Sequence, residues 1–131
     1  MELIRLLLVD DEPSIRRGLR MRLELEDDLE VIGEAADGAA AVRMTAQLGP
    51  TVVLMDVQMP VLDGILAARQ ITQESPASAV VILSMHDDAA TIRQARDAGA
   101  SGFIAKHSMN DTLITAIRRA AGEKGAANGD S

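Results

Sequence analysis

Short apolar runs alternate with segments of helical periodicity along almost the whole chain. A strand that is buried on both faces of a sheet shows as a continuous apolar run, because neither face needs polar side chains. The chain contains five such runs, at residues 3–9, 31–35, 51–55, 79–83 and 102–105. This pattern predicts a parallel sheet that is covered on both sides.

Helical patterns occupy the segments between these runs. In the first segment, Pro13 suits the opening position of a helix, and Ile15, Leu19 and Leu23 recur every four residues. Capping or turn residues indicate four further helix starts, at Asp37, at Gly64, at Asp87 or Asp88, and at residues 108–111. The alternation predicts an α/β, doubly wound, five-stranded parallel sheet with five helices and right-handed crossovers.

Length and charge narrow the class of protein. At 131 residues the chain has the length of one domain. We expect a folded domain at residues 1–121, followed at residues 122–131 by a polar, glycine-rich linker or frayed end. The chain has 13 Lys and Arg against 20 Asp and Glu, a net charge of −7. This balance argues against binding of the domain to DNA phosphates or to an anionic membrane.

The absence of cysteine excludes disulfides, thiolate zinc sites and thiol nucleophiles. No apolar run approaches the ~20 residues that are needed to span a bilayer. We therefore expect a cytoplasmic domain without membrane contact.

Polar residues follow four of the five apolar runs. The first run ends at Asp10 and Asp11, the third at Asp56, the fourth at Ser84 and the fifth at Lys106. Because the carboxyl ends of parallel strands lie at one edge of a sheet, these side chains should converge there. Taken singly, the acids are also good helix caps or turn residues. Capping predicts nothing, however, about the ends of the fourth and fifth strands.

Carboxylates gathered at one edge repel one another and raise one another's pKa, and a divalent cation relieves this repulsion. Oxygen ligands favour Mg²⁺ or Mn²⁺ over zinc. A carboxylate beside such a cation and Lys106 can attack a phosphoryl group, to which Ser84 can donate a hydrogen bond. We expect Asp56 to be this nucleophile, because its strand fixes it at the sheet's centre, and Asp10 and Asp11 to hold the metal.

These residues resemble the receiver domain of two-component response regulators. The matching segments are residues 8–12, 55–60 with Asp63 and Gly64, 82–84 and 102–106. The resemblance implies a flavodoxin-like sheet of order 2-1-3-4-5. It also implies that Asp56 accepts a phosphoryl group from a sensor histidine kinase. Such a domain is a Mg²⁺-dependent phosphoryl acceptor with slow self-dephosphorylation, and not a conventional enzyme.

The resemblance also implies roles for individual residues. Asp11, Asp56 and the backbone carbonyl of Gln58 would bind Mg²⁺ directly, and Asp10 would act through water. Ser84 and Phe103 fall where the family has its switch pair. On phosphorylation the hydroxyl moves toward the phosphoryl group and the ring turns inward. This movement remodels the surface of the fourth helix, fifth strand and fifth helix, where partners or a second copy dock.

Two further features bear on the subfamily and on the lifetime of the phosphate. Residues 31–38 resemble the NarL/FixJ (LuxR-type) regulators, which carry a helix-turn-helix DNA-binding domain after the receiver and control transcription. Gln58 and His86 lie two residues beyond Asp56 and Ser84, and are candidates for setting the phosphate lifetime, although a solvated position explains them equally well. Many receivers have proline after the lysine, whereas this chain has His107.

Three other functions remain open from the sequence. A haloacid dehalogenase-like phosphatase would use Asp10 as its nucleophile, but that family has Asp where this chain has Glu12. A flavodoxin-type nucleotide module would need a phosphate loop in place of the acids. A phosphorylation-independent interaction domain would have no need of Ser84 and Lys106. The first helix carries four arginines, which we interpret as a solvated face with a kinase or dimer contact as the alternative: Arg16, Arg17, Arg20 and Arg22.

Overall fold

The computed structural model describes residues 3–57, 63–85 and 88–129, except for the side chains of residues 110, 111 and 124–129. Five strands alternate with five helices, as the apolar runs predict. The strands are β1 (Ile4–Val9), β2 (Leu29–Ala35), β3 (Val52–Asp56), β4 (Ala79–Ser84) and β5 (Gly102–Ala105). The helices are α1 (Pro13–Leu23), α2 (Gly38–Leu48), α3 (Gly64–Glu74), α4 (Ala89–Asp97) and α5 (Met109–Gly129), and a 3₁₀ turn (Lys106–Ser108) precedes α5.

The strands form one parallel sheet in the order β2-β1-β3-β4-β5, which confirms the predicted order. The central strands β1, β3 and β4 are buried over nearly their whole length, as their continuous apolar runs require. The chain reverses its direction of winding between β1 and β3, so the carboxyl ends of these two strands flank the crevice in which such sheets bind ligands.

Two apolar layers cover the sheet, one on each side. Leu6, Leu8 and Leu54 point toward α1 and α5, and this side is called the α1–α5 face. Leu7 and Met55 point to the opposite side, toward α2, α3 and α4, which is called the α2–α4 face. Successive side chains of a strand alternate between the faces. This alternation therefore predicts on which face of the sheet the residue that follows each strand lies.

Aspartates cap three of the helices. The carboxylates of Asp37, Asp63 and Asp88 accept hydrogen bonds from backbone N–H groups three residues further on, at 2.8, 3.0 and 3.3 Å. The capping position predicted at Asp37 is confirmed. Of the two candidates for α4, Asp88 is the cap, and Asp87 lies outside the described residues. No helix in the described part of the chain is long and apolar enough to cross a membrane.

The fifth helix is longer than the sequence indicates. The apolar positions predict an end near Ala121, whereas α5 continues to Gly129. Residues 122–131 have no apolar period, and Gly122, Gly125 and Gly129 disfavour helix, so the sequence pattern does not indicate this extension. The helix therefore extends eight residues beyond the expected end, and the assignment of residues 122–131 as a linker or frayed end stays a prediction.

Candidate functional site

Strand register brings two aspartates together at the carboxyl edge of the sheet. Val9 of β1 pairs with Met55 of β3, so that Asp10 and Asp56 follow at the same level on neighbouring strands. Both residues take the α1–α5 face by alternation, and both are buried, with 1% and 4% of their surfaces exposed. Burial of two carboxylates side by side is costly unless positive charge or hydrogen bonds compensate for it.

A third carboxylate completes the cluster. Asp11 is exposed in the loop between β1 and α1, and one ligand oxygen from each of Asp10, Asp11 and Asp56 lies within 4.8 Å of the others. The predicted convergence of these three acids is confirmed. The group is buried on the sheet side and open on the solvent side, which would allow a cation to enter without unfolding the edge.

Lys106 supplies positive charge to the same cluster. The lysine follows β5 in the 3₁₀ turn, and its Nζ donates a hydrogen bond to Asp56 Oδ2 at 3.2 Å. Its distance to Asp10 Oδ2 is 3.9 Å, an ion-pair contact without a hydrogen bond. The peptide between Lys106 and His107 is trans. One lysine therefore contacts both buried carboxylates across the width of two strands.

Asp10 is the member of the cluster whose negative charge is least well compensated. Its Oδ1 accepts a hydrogen bond from the Glu12 backbone N–H at 2.9 Å, whereas its buried Oδ2 has no hydrogen-bond partner among the described residues. Burial raises the pKa of Asp10 to about 6, and the charge of Asp56 adds to this effect, although the Glu12 hydrogen bond and Lys106 oppose it. An unsatisfied buried carboxylate oxygen beside two further carboxylates fits a hard divalent cation.

Gly64 allows α3 to begin directly against the end of β3. A Cβ atom at this position would lie 2.5 Å from the backbone oxygen of Asp56 and 2.5 Å from Val57 Cα, which no side chain tolerates. The Gly64 N–H instead donates to the Val57 carbonyl at 3.1 Å. The sequence analysis includes Gly64 in a motif shared with receiver domains but does not explain why glycine is needed there. The structure explains it by this close approach of two backbone segments.

Ser84 and Phe103 lie on the other side of the sheet from the carboxylates. Ser84 is fully buried and lines a cleft with Thr91 and Gln94 of α4. Phe103 is half-buried and lines a second cleft with Ile92 and Ala95 of α4. The two candidate switch residues therefore flank the same helix. Ser84 ends β4, the strand next to that of Asp56, and the switch role of both residues stays a prediction.

The prediction of a solvated arginine face on α1 is wrong for Arg16, whose side chain is 16% exposed, whereas Arg20 keeps 37% of its side chain exposed but shares a partner with Arg16. Both donate to Glu34 of β2, from Arg16 Nε at 2.9 Å and from Arg20 Nε at 3.0 Å. Arg16 also donates from Nη1 to the backbone carbonyl of Asp10. Arg17 is exposed, as expected. Sequence reasoning missed the connection between this pair and the site, although the spacing of Arg16 and Arg20, four residues apart on a helix, places them on one face.

The roles of two candidate site residues stay predictions. Gln58, proposed as a metal ligand through its carbonyl and as a residue that sets phosphate lifetime, and His86, proposed for the second of these roles, lie outside the described residues.

Comparison with known proteins agrees with this arrangement. A family model described as the response regulator receiver domain matches residues 6–118. The uncharacterized transcriptional regulatory protein YxjL of Bacillus subtilis is 41% identical over 118 residues, which cover 90% of this chain and 54% of YxjL. The nitrate/nitrite response regulator protein NarP of Escherichia coli is 35% identical over 93% of this chain and 56% of its own length.

The crystal structure of a LuxR-family two-component response regulator from Aurantimonas sp. SI85-9A1 superposes with a TM-score of 0.89 at 36% identity. This match covers 93% of the present chain and 87% of that one. The chain spans about half the length of the curated relatives that it matches. By the family match and by these relatives, the chain belongs to the response regulator receiver domains, and its relatives are regulators of the LuxR and NarL type.

Proposed function

We propose that this domain is a phosphorylation-activated switch in which Asp56 accepts a phosphoryl group from a sensor histidine kinase, with Mg²⁺ as the cofactor. The observation that carries the proposal is the meeting of three carboxylates within 4.8 Å at the carboxyl edge of the sheet, with the Lys106 ammonium 3.2 Å from Asp56. A cluster of three carboxylates and one ammonium group in the ligand-binding crevice of this fold suits the transfer of an anionic group.

Asp56 suits the role of nucleophile because β3 holds its backbone between two neighbouring strands. In the transfer, a carboxylate oxygen of Asp56 forms a bond to phosphorus while the bond between phosphorus and the kinase histidine nitrogen breaks. The imidazole then leaves and takes a proton from the solvent. An ionised carboxylate needs no general base, so the site requires no further titrating residue for this step. Lys106 stabilises the negative charge that is shared between Asp56 and the incoming group.

The carboxylate cluster fits Mg²⁺. Asp11 and Asp56 would bind the ion directly, with the backbone carbonyl of Gln58, and Asp10 would act through water. The unsatisfied Oδ2 of Asp10 supports this assignment, because it leaves one buried acceptor for a bound ion or its water. When bound, Mg²⁺ neutralises charge on the oxygens of the transferring phosphoryl group.

We propose that the output passes through α4. In the phosphorylated state the Ser84 hydroxyl moves toward the phosphoryl group, and the Phe103 ring turns into the space beside α4. Weak anchoring of α4 supports this movement: its buried residue is Ala95, whereas the core-facing residues of α3 include Ile71 and two alanines. The surface of α4, β5 and α5 would then dock a partner or a second copy of the domain.

The parent protein is proposed to be a cytoplasmic transcription regulator whose helix-turn-helix domain follows this receiver. YxjL is named as a transcriptional regulatory protein, which supports transcription as the output. YxjL and NarP are both about twice as long as the matched region, which leaves room for a second domain. DNA binding would belong to that second domain, because the receiver itself has a net charge of −7.

The experiment that tests the proposal is intact-mass measurement after incubation with acetyl phosphate, with and without Mg²⁺. We expect the mass of one phosphoryl group to be gained only with Mg²⁺. The gain should be lost in Asp56→Asn and retained in Asp63→Asn, which removes an exposed capping carboxylate outside the cluster. Reduction of the acyl phosphate with borohydride should convert residue 56 to homoserine.

Homoserine at residue 10 would instead identify a phosphatase-type nucleophile and refute the assignment to Asp56. If folded protein gains no mass, a beryllofluoride titration monitored by NMR should produce chemical-shift changes around Asp56, as expected for a short-lived phosphate. The absence of both responses would indicate a domain that signals without phosphate.

A further inference from the structure

A chain of ion pairs on α1 ends at the backbone of the acidic cluster. Arg20 donates to Glu24 at 3.1 Å and to Glu34 at 3.0 Å, and Glu34 accepts from Arg16 at 2.9 Å. Arg16 also donates to the carbonyl oxygen of Asp10. The Arg16 side chain is only 16% exposed, and the Glu34 side chain is 31% exposed. Arg16 is therefore held from both sides, by a strand on one and by the metal-binding loop on the other.

An irregularity in β2 aims Glu34 at this position. Leu6 pairs with Val31, but the next residue of β1, Leu7, pairs with Gly33, so β2 carries one extra residue. Val31 packs on the α1–α5 face, whereas Ala35 packs on the α2–α4 face. Without the extra residue, strict alternation would place residues 31 and 35 on the same face. The bulge turns Glu34 toward α1, and bulges commonly re-aim a side chain in this way.

Glu34 carries a negative charge in this position at neutral pH. Burial acts to raise its pKa, but the hydrogen bonds from Arg16 and Arg20 outweigh burial, so the pKa lies below its usual value. The Arg16 guanidinium is thus a paired cation with a fixed orientation. A planar guanidinium can donate to two different acceptors at once, which a lysine ammonium does less well.

The charge of Arg16 cannot itself favour a divalent cation nearby, because like charges repel. Its contacts have the opposite effect. Asp10 and Asp11 are adjacent in a short loop, and their carboxylates repel each other and Asp56 when no cation is bound. A hydrogen bond to the Asp10 carbonyl holds the peptide between Asp10 and Asp11 against this repulsion.

We propose that Arg16, oriented by Glu34, is a positioning residue that fixes the loop of Asp10 and Asp11 and so preorganises two of the three carboxylates for Mg²⁺. This inference rests on the proposed function, in that it takes the cluster to bind Mg²⁺. Loss of the Arg16 contact with the Asp10 carbonyl would leave all three carboxylates in place in the sequence, but the loop of Asp10 and Asp11 would be less well fixed. Outer contacts that orient metal ligands typically contribute 10- to 100-fold to metal affinity.

The test is a calorimetric titration with MgCl₂ of the whole 131-residue chain. We expect Arg16→Gln to bind Mg²⁺ at least ~10-fold more weakly than the wild type. The matched control is Arg17→Gln, which removes the same charge from an exposed position one residue further along α1. Charge removal alone would make both variants bind Mg²⁺ slightly more tightly, so the sign of the change separates positioning from electrostatics.

Two further variants separate positioning from a general loss of structure. Arg16→Lys keeps the charge, so weaker Mg²⁺ binding in this variant can only reflect the lost contact geometry. Glu34→Gln should weaken Mg²⁺ binding in the wild type but have no further effect in Arg16→Gln, because Glu34 acts through Arg16. Phosphorylation by acetyl phosphate should require more Mg²⁺ in Arg16→Lys, while its rate at saturating Mg²⁺ equals that of the wild type.

The outcomes for this inference and for the proposed function are distinct. If the wild type binds no Mg²⁺, the proposed function is wrong. If the wild type binds Mg²⁺ and Arg16→Lys binds it equally well, the positioning role is wrong while the proposed function stands. Far-UV circular dichroism of each variant establishes that it is folded, and Arg16→Lys is the deciding variant if Arg16→Gln does not fold.

Discussion

The buried carboxylate of Asp10 should destabilise the metal-free protein, and Asp10→Asn should relieve this effect. The substitution preserves the shape of the side chain, and the amide oxygen can still accept the hydrogen bond from Glu12. The negative charge is removed, and an amide NH2 replaces one carboxylate oxygen, at a position with 1% of its surface exposed. A neutral amide costs much less to bury there than an ionised carboxylate.

The expected magnitude follows from the pKa of Asp10, which rises from 3.8 to about 6 on folding. Each unit of difference between the folded and unfolded states corresponds to about 1.4 kcal/mol, so the ionised carboxylate costs the folded state about 3 kcal/mol. The folded state binds the proton more tightly than the unfolded state. The free energy of unfolding therefore falls as pH rises from about 4 to 6, and it stays lower above that range.

The assay is urea unfolding in EDTA across this pH range. It must be followed by far-UV circular dichroism, because the chain has no Trp or Tyr. At pH 7.5 we expect Asp10→Asn to be more stable than the wild type by about 2–3 kcal/mol. The difference should shrink toward pH 4. Adding Mg²⁺ should also narrow it, because a cation that binds the folded wild type stabilises it.

Asp11→Asn is the matched control, since it removes the neighbouring carboxylate from an exposed position. Its effect on the free energy of unfolding should be much smaller, because water already solvates that group. A gain for Asp10→Asn that does not vary with pH would refute the reasoning, and so would a loss of stability at pH 7.5 in EDTA.

Two other predictions concern the framework around the site. Gly64→Ala should lower the free energy of unfolding by about 1–3 kcal/mol in urea, because its Cβ would overlap the Asp56 carbonyl. Gly18→Ala, whose Cβ meets nothing within 4 Å in α1, should instead raise it by up to about 1 kcal/mol, and equal effects would contradict the steric argument. The hydrogen bond from Arg118 is the largest cause that lowers the pKa of Asp28, so this ion pair contributes stability that is present above pH 4 and is lost as pH falls below it. The urea midpoints of wild type and Arg118→Gln should therefore differ at pH 6 and converge below pH 4, whereas Arg119→Gln, one residue further along α5, should follow the wild type throughout.

The convergence of the site was predictable because it depends on one property of parallel sheets. Residues that end neighbouring strands lie at the same edge, so Asp10, Asp56 and Lys106 could be placed together from the apolar runs alone. The start of α4 at a capping aspartate was predictable for a similar reason, since the cap is a local interaction within one turn.

The ion pairs of Glu34 were not predictable in the same way. Whether Glu34 faces α1 or α2 depends on the extra residue that β2 carries opposite Leu6 and Leu7. Gly33 inside the strand is a local signal of such a bulge, but it does not by itself fix the register of the residues that follow. A one-residue shift in register exchanges the faces of all following side chains. The extension of α5 was missed for a different reason, because the segment beyond Ala121 has no apolar period and contains Gly122, Gly125 and Gly129, which disfavour helix.

The half-buried ring of Phe103 has a practical consequence for observing this domain at work. It is the single aromatic residue of the Phe, Tyr and Trp group in the chain, and it lines the cleft between α4 and β5. Fluorinated phenylalanine supplied during expression would enter the protein at this position alone. The fluorine spectrum would then contain one signal whose assignment requires no mutagenesis. That signal would record the environment beside α4 in each state of the domain, at a site already provided by the native sequence.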